Sequence, residues 1–325
     1  MSRQQPGSSE FELIQRCFTQ GYPTDAATLL GIGDDASVIA PPADQHLAQS
    51  LDTQVADVHF PANAPAHLIA QRALRCAVSD LAAMGASPQG FLLGLTLPDN
   101  QPDWLDDFAR GLRDAATACG ITLLGGDTTR GPALVISLLV QGWVPALSHP
   151  RGLTRGGAQA GDDVWVSGCL GQAALALPMV LANPAIHTGL AAAYYYPAPR
   201  LTLGQSLLGI ATAALDISDG LLQDAHHIAT ASAVNLALTG EHIPTAVALG
   251  HPGWPDCLSG GDDYELLFTA PADQQTRIAT LAQQLDVPLT RIGQCQSKIN
   301  DQQPTVTVLL QDQPVQLTTS GYQHF

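Results

Sequence analysis

Apolar residues recur along this chain with two different spacings, and the change from one to the other marks out its segments. Residues 8–20 carry an amphipathic helical spacing, with Ser8 or Ser9 placed to cap it. Two strand-like runs follow at 36–40 and 46–51, then a long Ala-rich helical stretch over 65–84. A strand over 90–97, a helix over 103–118 and strands over 121–124 and 134–144 complete the first half. The predicted order β-β-α-β-α-β-β is that of an α+β domain with a largely antiparallel sheet. A doubly wound nucleotide-binding fold would instead alternate strand and helix.

Between 145 and 162 the spacing gives way to Pro, Gly, His and Arg, a composition suited to a linker. The expected division is an N-terminal α+β domain over 1–148 and a C-terminal α/β domain over 149–325. In the second, strands are expected at 164–167, 264–270, 288–292 and 306–310. Helices are expected at 171–183, 200–210, 219–231 and 273–285. Two domains suit a chain of 325 residues, and a chain of that length buries enough apolar surface to need no disulfide or metal staple.

Composition then narrows the chemistry. A net charge of −16 opposes any partner that presents a phosphate backbone, so no nucleic acid is expected. Of the 29 acidic residues only four are Glu (Glu10, Glu12, Glu241 and Glu265), leaving 25 Asp. Aspartate is a poor helix former, a good turn residue and a good ligand for hard cations. The only lysine, Lys298, sits in Ser297-Lys298-Ile299, which is neither a Walker A loop nor the strand lysine of a protein kinase. Phosphate chemistry here must therefore rely on metal ions and arginine. The six cysteines show no C-x-x-C and no zinc spacing and read as reduced core thiols. No signal-peptide pattern and no 18-residue apolar run is present, so a cytoplasmic location without a membrane is expected.

Candidate chemistry gathers at six short places. They are Gly33-Asp34-Asp35, Ser50-Leu51-Asp52, Ser79-Asp80, Gly125-Gly126-Asp127-Thr128-Thr129, Asp216-Ile217-Ser218-Asp219-Gly220 and Gly260-Gly261-Asp262-Asp263-Tyr264-Glu265. Most set an Asp beside Gly or Ser at the edge of a strand-like run. Any one of them is also simply a turn or a helix cap. Together they suit a polyphosphate: Gly lets backbone N–H groups approach phosphate closely, and Asp supplies short, rigid oxygens for Mg²⁺. Asp52 ends a strand run where no cap is needed, and Asp80 lies within a helical stretch where an unpaired carboxylate is costly. Asp216 and Asp219 flank Ser218 at a strand-to-helix junction, where a cap and a metal ligand are compatible. Arg155 can be a phosphate clamp or a surface arginine, and His59 a substrate contact or a solvated loop residue. His226 and His227 point about 100° apart on a helix, which favours a structural role. Tyr194-Tyr195-Tyr196-Pro197 reads as a packed helix end.

In this order the motifs resemble the thiamine-monophosphate kinase family, within the aminoimidazole-ribonucleotide-synthetase-like superfamily. The matching stretches are Gly31–Ala36, Asp52-Thr53, Ser79–Ala86, Gly125–Pro132, Asp216–Leu221, Ser259–Leu266 and the closing Gly321–Phe325. The resemblance implies a ferredoxin-like mixed sheet in the N-terminal domain, pairing with its twin in a homodimer, and an active cleft between the two domains. It implies transfer of the ATP γ-phosphoryl group to thiamine monophosphate, with several Mg²⁺ ions. It carries metal binding to Asp35, Ser50, Leu51, Asp52, Asp80, Asp127, Asp216 and Asp219, with Asp52, Asp80, Asp127 and Asp219 central to catalysis. Nucleotide contacts fall on Gly126, Asp127, Arg155 and Ser218, and substrate contacts on His59, Asp262 and Thr319. Leu51 stands where the family often has Thr and can offer only its backbone carbonyl. Thr319 stands where the family often has an aromatic residue.

The alternatives are a sister ATP-dependent enzyme of the superfamily and a non-catalytic divalent-cation or nucleotide-binding module. The N-terminal segment holds no lysine of the selenophosphate-synthetase kind, the chain has no cysteine tail of the hydrogenase-maturation kind, and no EF-type loop is present.

Overall fold

The computed structural model describes residues 10–298 and 302–315. It opens with α1 (Glu10–Cys17) and a small antiparallel hairpin of β1 (Thr28–Leu30) and β2 (Val38–Ile39). A four-stranded sheet follows, built from β3 (Gln45–Val55), β4 (Ser87–Leu97), β5 (Thr122–Arg130) and β6 (Val135–Pro145) in the order β3-β6-β4-β5. Helix α2 (Ala66–Ala83) joins β3 to β4, and α3 (Pro102–Cys119) joins β4 to β5. Strand β6 is antiparallel to both β3 and β4, whereas β4 and β5 are parallel and need the α3 crossover. The sheet is therefore mixed.

Both helices cover one face of this sheet. Leu68, Ile69, Leu74, Phe91, Phe108, Leu112 and Leu138 form its core. Among the described residues the other face is bare: Leu51 pairs in register with Leu139, and Leu139 with Leu92. Along β3 the side chains alternate, so that Leu47 and Leu51 remain 47% and 65% exposed while Gln54 is buried.

Residues 146–162 connect this sheet to a second one. It contains β7 (Asp163–Ser167), β8 (Ala213–Asp216), β9 (Val234–Thr239), β10 (Leu266–Ala270), β11 (Leu289–Ser297), β12 (Val306–Leu310) and β13 (Gln313–Val315), in the order β13-β12-β9-β11-β7-β10-β8. Its pairings are antiparallel except β9 with β12. Helices α4 (Gln172–Ala182) and α5 (Leu190–Tyr195) add to the core of the first sheet, while α6 (Leu201–Leu207), α7 (Leu221–Ser232), α8 (Trp254–Ser259) and α9 (Gln275–Leu285) pack around the second. The two halves interlock at α2. Ala82 and Ala83 pack with Leu153, Leu203, Leu207 and Phe268, and Tyr194 and Tyr195 of α5 join the core beneath the first sheet.

The architecture is the expected pair of mixed sheets with helices, and the differences are local. Strand β3 does not end at Asp52 but stays paired with β6 to Val55. Residues 125–130, which read as a turn, are the second half of β5. The short elements β1, β9, α5 and α8 carry too few residues for a spacing to show.

Candidate active site

Strand β3 and helix α2 bring the first acidic groups together. Because side chains alternate along a strand, Ser50 and Asp52 share the face that looks toward α2. The Ser50 hydroxyl donates to Oδ2 of Asp80 at 2.5 Å, and Gln54 Nε2 donates to Oδ2 of Asp52 at 2.9 Å. Asp216, the last residue of β8, approaches from the other half and is buried. Between them lies a cavity of about 170 Å³ lined by Ser50, Asp80, Met84, Arg155, Leu215 and Asp216. The cleft sits at the junction of the two sheets.

Burial first, and like charge second, raise the carboxyls of this cleft. Burial, reinforced by the nearby charge of Asp80, pushes the Asp216 carboxyl up to about 6, against the pull of the Ser79 hydroxyl and of Arg155. Burial also raises Asp80; the Ser50 hydrogen bond opposes this and the charge of Asp52 adds to it. Arg155 makes no ion pair among the described residues, so its guanidinium remains available to an anion. Three clustered carboxylates with a serine hydroxyl form a hard-oxygen donor set that suits Mg²⁺ and would be costly without a cation.

The loop after β8 is held by a network that the sequence reading missed. The backbone N–H groups of Asp219 and Gly220 donate to Oδ2 of Asp224 at 3.0 and 3.1 Å. Asp224 therefore satisfies the start of α7, and the cap expected from Ser218 or Asp216 is not made by either. Burial lifts the Asp224 carboxyl to about 7. Asp219 accepts from Gln223 Nε2 at 2.9 Å, and Asp219, Asp224 and His227 could together hold a cation. Burial and Arg155 lower the His227 pKa. Ser218 is exposed. The second glycine-aspartate loop is stitched onto the first: the Asp262 N–H donates to the Ser218 carbonyl at 2.9 Å, and the Tyr264 N–H to the Ile217 carbonyl at 2.8 Å. Gly261 permits this contact, since its φ is +68° and a Cβ there would meet the Ser218 oxygen at 2.3 Å.

His59 follows β3, and Asp262 lies in the second glycine-aspartate loop. His59 Nδ1 accepts from the Val55 N–H at 3.0 Å, and the Tyr194 hydroxyl donates to the His59 carbonyl at 3.0 Å. Asp262 is held by Arg72 of α2 through contacts of 2.7 and 2.8 Å. Its side chain keeps 30% exposure.

Other candidates stand apart within one chain. Asp35 is exposed in the β1–β2 hairpin and its N–H bonds only to Asp34. Gly126 and Asp127 lie on β5, the far edge of the sheet, three strands from β3 or about 14 Å. Asp127 shares a row with Gly94, Ser137 and Thr53 on the bare face, not with Asp52. The Leu51 side chain also points to that face, away from the cluster. Thr319 and the closing Gly321–Phe325 lie outside the described residues. Arg72 and Asp224 neighbour the candidate residues and were not singled out from the sequence, and Tyr194, read as part of a packed helix end, also bonds to His59. The spacing of Asp224 and His227, i and i+3 on α7, was a usable signal and the adjacent histidine pair was not.

Known proteins resemble this chain over most of its length. The family described as AIR synthase related protein, N-terminal domain, matches residues 33–144. A thiamine-monophosphate kinase of Haemophilus influenzae is 36% identical over 326 residues, covering 97% of this chain and 98% of that protein. The crystal structure of a thiamine-monophosphate kinase from Stenotrophomonas maltophilia superposes with a TM-score of 0.80 at 42% identity, over 89% of this chain and 93% of that one. A ThiL structure complexed with AMPPCP and TMP superposes with a TM-score of 0.74 at 26% identity, over 90% and 92%.

Proposed function

The chain belongs to the thiamine-monophosphate kinase family, and from that premise we propose how its residues carry out the ATP-dependent phosphorylation of thiamine monophosphate. The observation that carries the reading is the junction cleft, where Ser50, Asp80 and Asp216 from both halves face one another beside Arg155. The acceptor is a phosphate monoester whose second pKa is near 6, so it is already an anionic nucleophile at neutral pH. No general base is required. The obstacle is repulsion between two polyanions, so catalysis is a matter of positioning and charge stabilisation.

Ser50, Asp52, Asp80 and Asp216 would hold Mg²⁺, which when bound supplies the positive charge that the phosphates and the carboxylates both lack. Asp219 extends this donor set along the α7 loop. Arg155 and the Ser218 hydroxyl bind and orient the nucleotide phosphates. An oxygen of the acceptor phosphate bonds to the γ-phosphorus in line with the breaking bond to the bridging oxygen, and ADP leaves. His59 and Asp262 orient the acceptor.

Self-association through the bare sheet face completes the reading. Leu47 and Leu51 would be covered there, and the open edges β3 and β5 of two copies would come together. Such a homodimer is the route by which Gly126 and Asp127 of one copy reach the cluster of another. The sequence features expected of a cytoplasmic enzyme accord with this, and among the described residues no helix is long and apolar enough to cross a membrane.

The test is product analysis by anion-exchange chromatography after incubation with ATP, Mg²⁺ and thiamine monophosphate, beside EDTA and Asp52→Asn controls. Thiamine diphosphate and ADP in equal amounts, lost in both controls, is the expected result. ADP without thiamine diphosphate would refute the proposal.

A further inference from the structure

The two residues assigned to the acceptor, His59 and Asp262, come from different halves of the protein. Two residues outside every motif join them. Arg72 of α2 is 4% exposed. Its Nη2 donates to both carboxylate oxygens of Asp262, at 2.7 and 2.8 Å, and its Nη1 donates to the Tyr194 carbonyl at 2.9 Å. The guanidinium carbon lies 4.0 Å from the centroid of the Tyr194 ring. From the far edge of that ring the hydroxyl reaches the His59 carbonyl. An unbroken path thus runs from Asp262 through Arg72 and Tyr194 to His59.

The setting gives this path its consequence. Asp262 has a left-handed backbone, φ +61°, and its N–H is bonded to the Ser218 carbonyl. Each carboxylate oxygen accepts one bond from Arg72 and retains a lone pair, and the Tyr264 hydroxyl takes one of these at 3.2 Å. With 30% exposure the carboxylate can still receive a donor from a ligand. Arg72 precedes Asp80 by eight residues on α2, a rise of about 12 Å. One helix thus carries both the contact to Asp262 and a member of the acidic cluster.

We propose that Arg72 and Tyr194 are positioning residues for the acceptor: they hold His59 and Asp262 at a fixed separation across the junction of the two halves without touching the acceptor themselves. The inference rests on the kinase reading above. The guanidinium fork matters as much as its charge, because three directed bonds and the stacked ring use its plane. An ammonium at the same place would keep the charge and lose the geometry.

The experiment is steady-state kinetics on the full chain, wild type beside Tyr194→Phe and Arg72→Lys, varying ATP and thiamine monophosphate separately. Both variants are expected to raise KM for thiamine monophosphate roughly tenfold, with KM for ATP changed by less than about twofold. An unchanged KM for thiamine monophosphate in both variants overturns the proposal. So does an equal rise in both KM values, which would mean a general loosening of the cleft. Hydrogen exchange reads the same link without turnover. Faster exchange of the 55–62 amides in Tyr194→Phe supports it, and wild-type protection there overturns it. Wild-type protein that forms no thiamine diphosphate refutes the kinase reading instead, and the exchange result then decides the inference alone.

Discussion

Replacing Asp216 by Asn should stabilise the metal-free protein while abolishing its activity. The Asp216 carboxyl is buried at the end of β8 beside Asp80 and is pushed from 3.8 up to about 6. Between those values the native protein keeps a proton that the unfolded chain has released. The native state then binds more protons, and stability falls as pH rises through the window. Below about pH 4 nothing is lost, and above about pH 6 the loss is complete. The gap corresponds to about 3 kcal/mol. Asparagine removes the titrating charge at nearly the same volume, so Asp216→Asn should exceed wild type by about 1–3 kcal/mol at pH 8 in EDTA, the lower figure allowing for imperfect amide hydrogen bonding. The advantage should vanish near pH 4. Urea unfolding at both pH values measures it, and Mg²⁺ should then raise the stability of wild type more than that of the variant. A variant no more stable than wild type at pH 8, or one equally favoured at pH 4, refutes the reasoning.

Leu51→Glu charges the most exposed large apolar residue of the bare sheet face; it should leave the fold within about 0.5 kcal/mol of wild type. Sedimentation velocity should show the loss of self-association. Chains carrying Asp52→Asn and chains carrying Asp127→Asn should each be inactive, yet regain about a quarter of wild-type activity when refolded together. Random pairing makes half the dimers mixed, each with one intact site, and no regain would place Asp127 outside a shared site. Asp224→Ala should be less stable than Asp224→Asn by about 1–2 kcal/mol in urea unfolding, because only Asn can still accept the Asp219 and Gly220 N–H groups.

Much of this architecture was legible from spacing. The helix expected at 65–84 is α2, the strand expected at 134–144 is β6, and the strand expected at 306–310 is β12, all within two residues. Long amphipathic elements announce themselves because one face must be buried over several turns. Strand β9 and helix α8, at six residues each, complete too few periods to be recognised. The true end of β3 was misjudged for another reason. Asp52 interrupts the apolar alternation, and only its pairing opposite Leu138 keeps the strand going. At the site, the serine and aspartate motifs predicted the groups that meet in the cleft. Arg72 did not stand out, since an arginine in an Ala-rich helix looks like any solvated charge until its partner 190 residues away is known.

The residues themselves dictated the kind of chemistry. With one lysine, twelve arginines and 25 aspartates, phosphate can be handled only through metal and guanidinium groups, whatever the fold. Local pattern likewise set which segments are helix and which are strand, because backbone hydrogen bonding and face burial act over a few residues. The chain order of the aspartates, by contrast, says nothing about which of them share a cavity. That depended on strand order: β3 and β8 lie at the junction beside α2, so Asp52, Asp80 and Asp216 converge, while β5 lies at the opposite edge and carries Asp127 away. Charge repulsion, burial and the shifted acidity of Asp216 follow from that convergence. They are properties of distance, which arises only when the two sheets are packed against one helix.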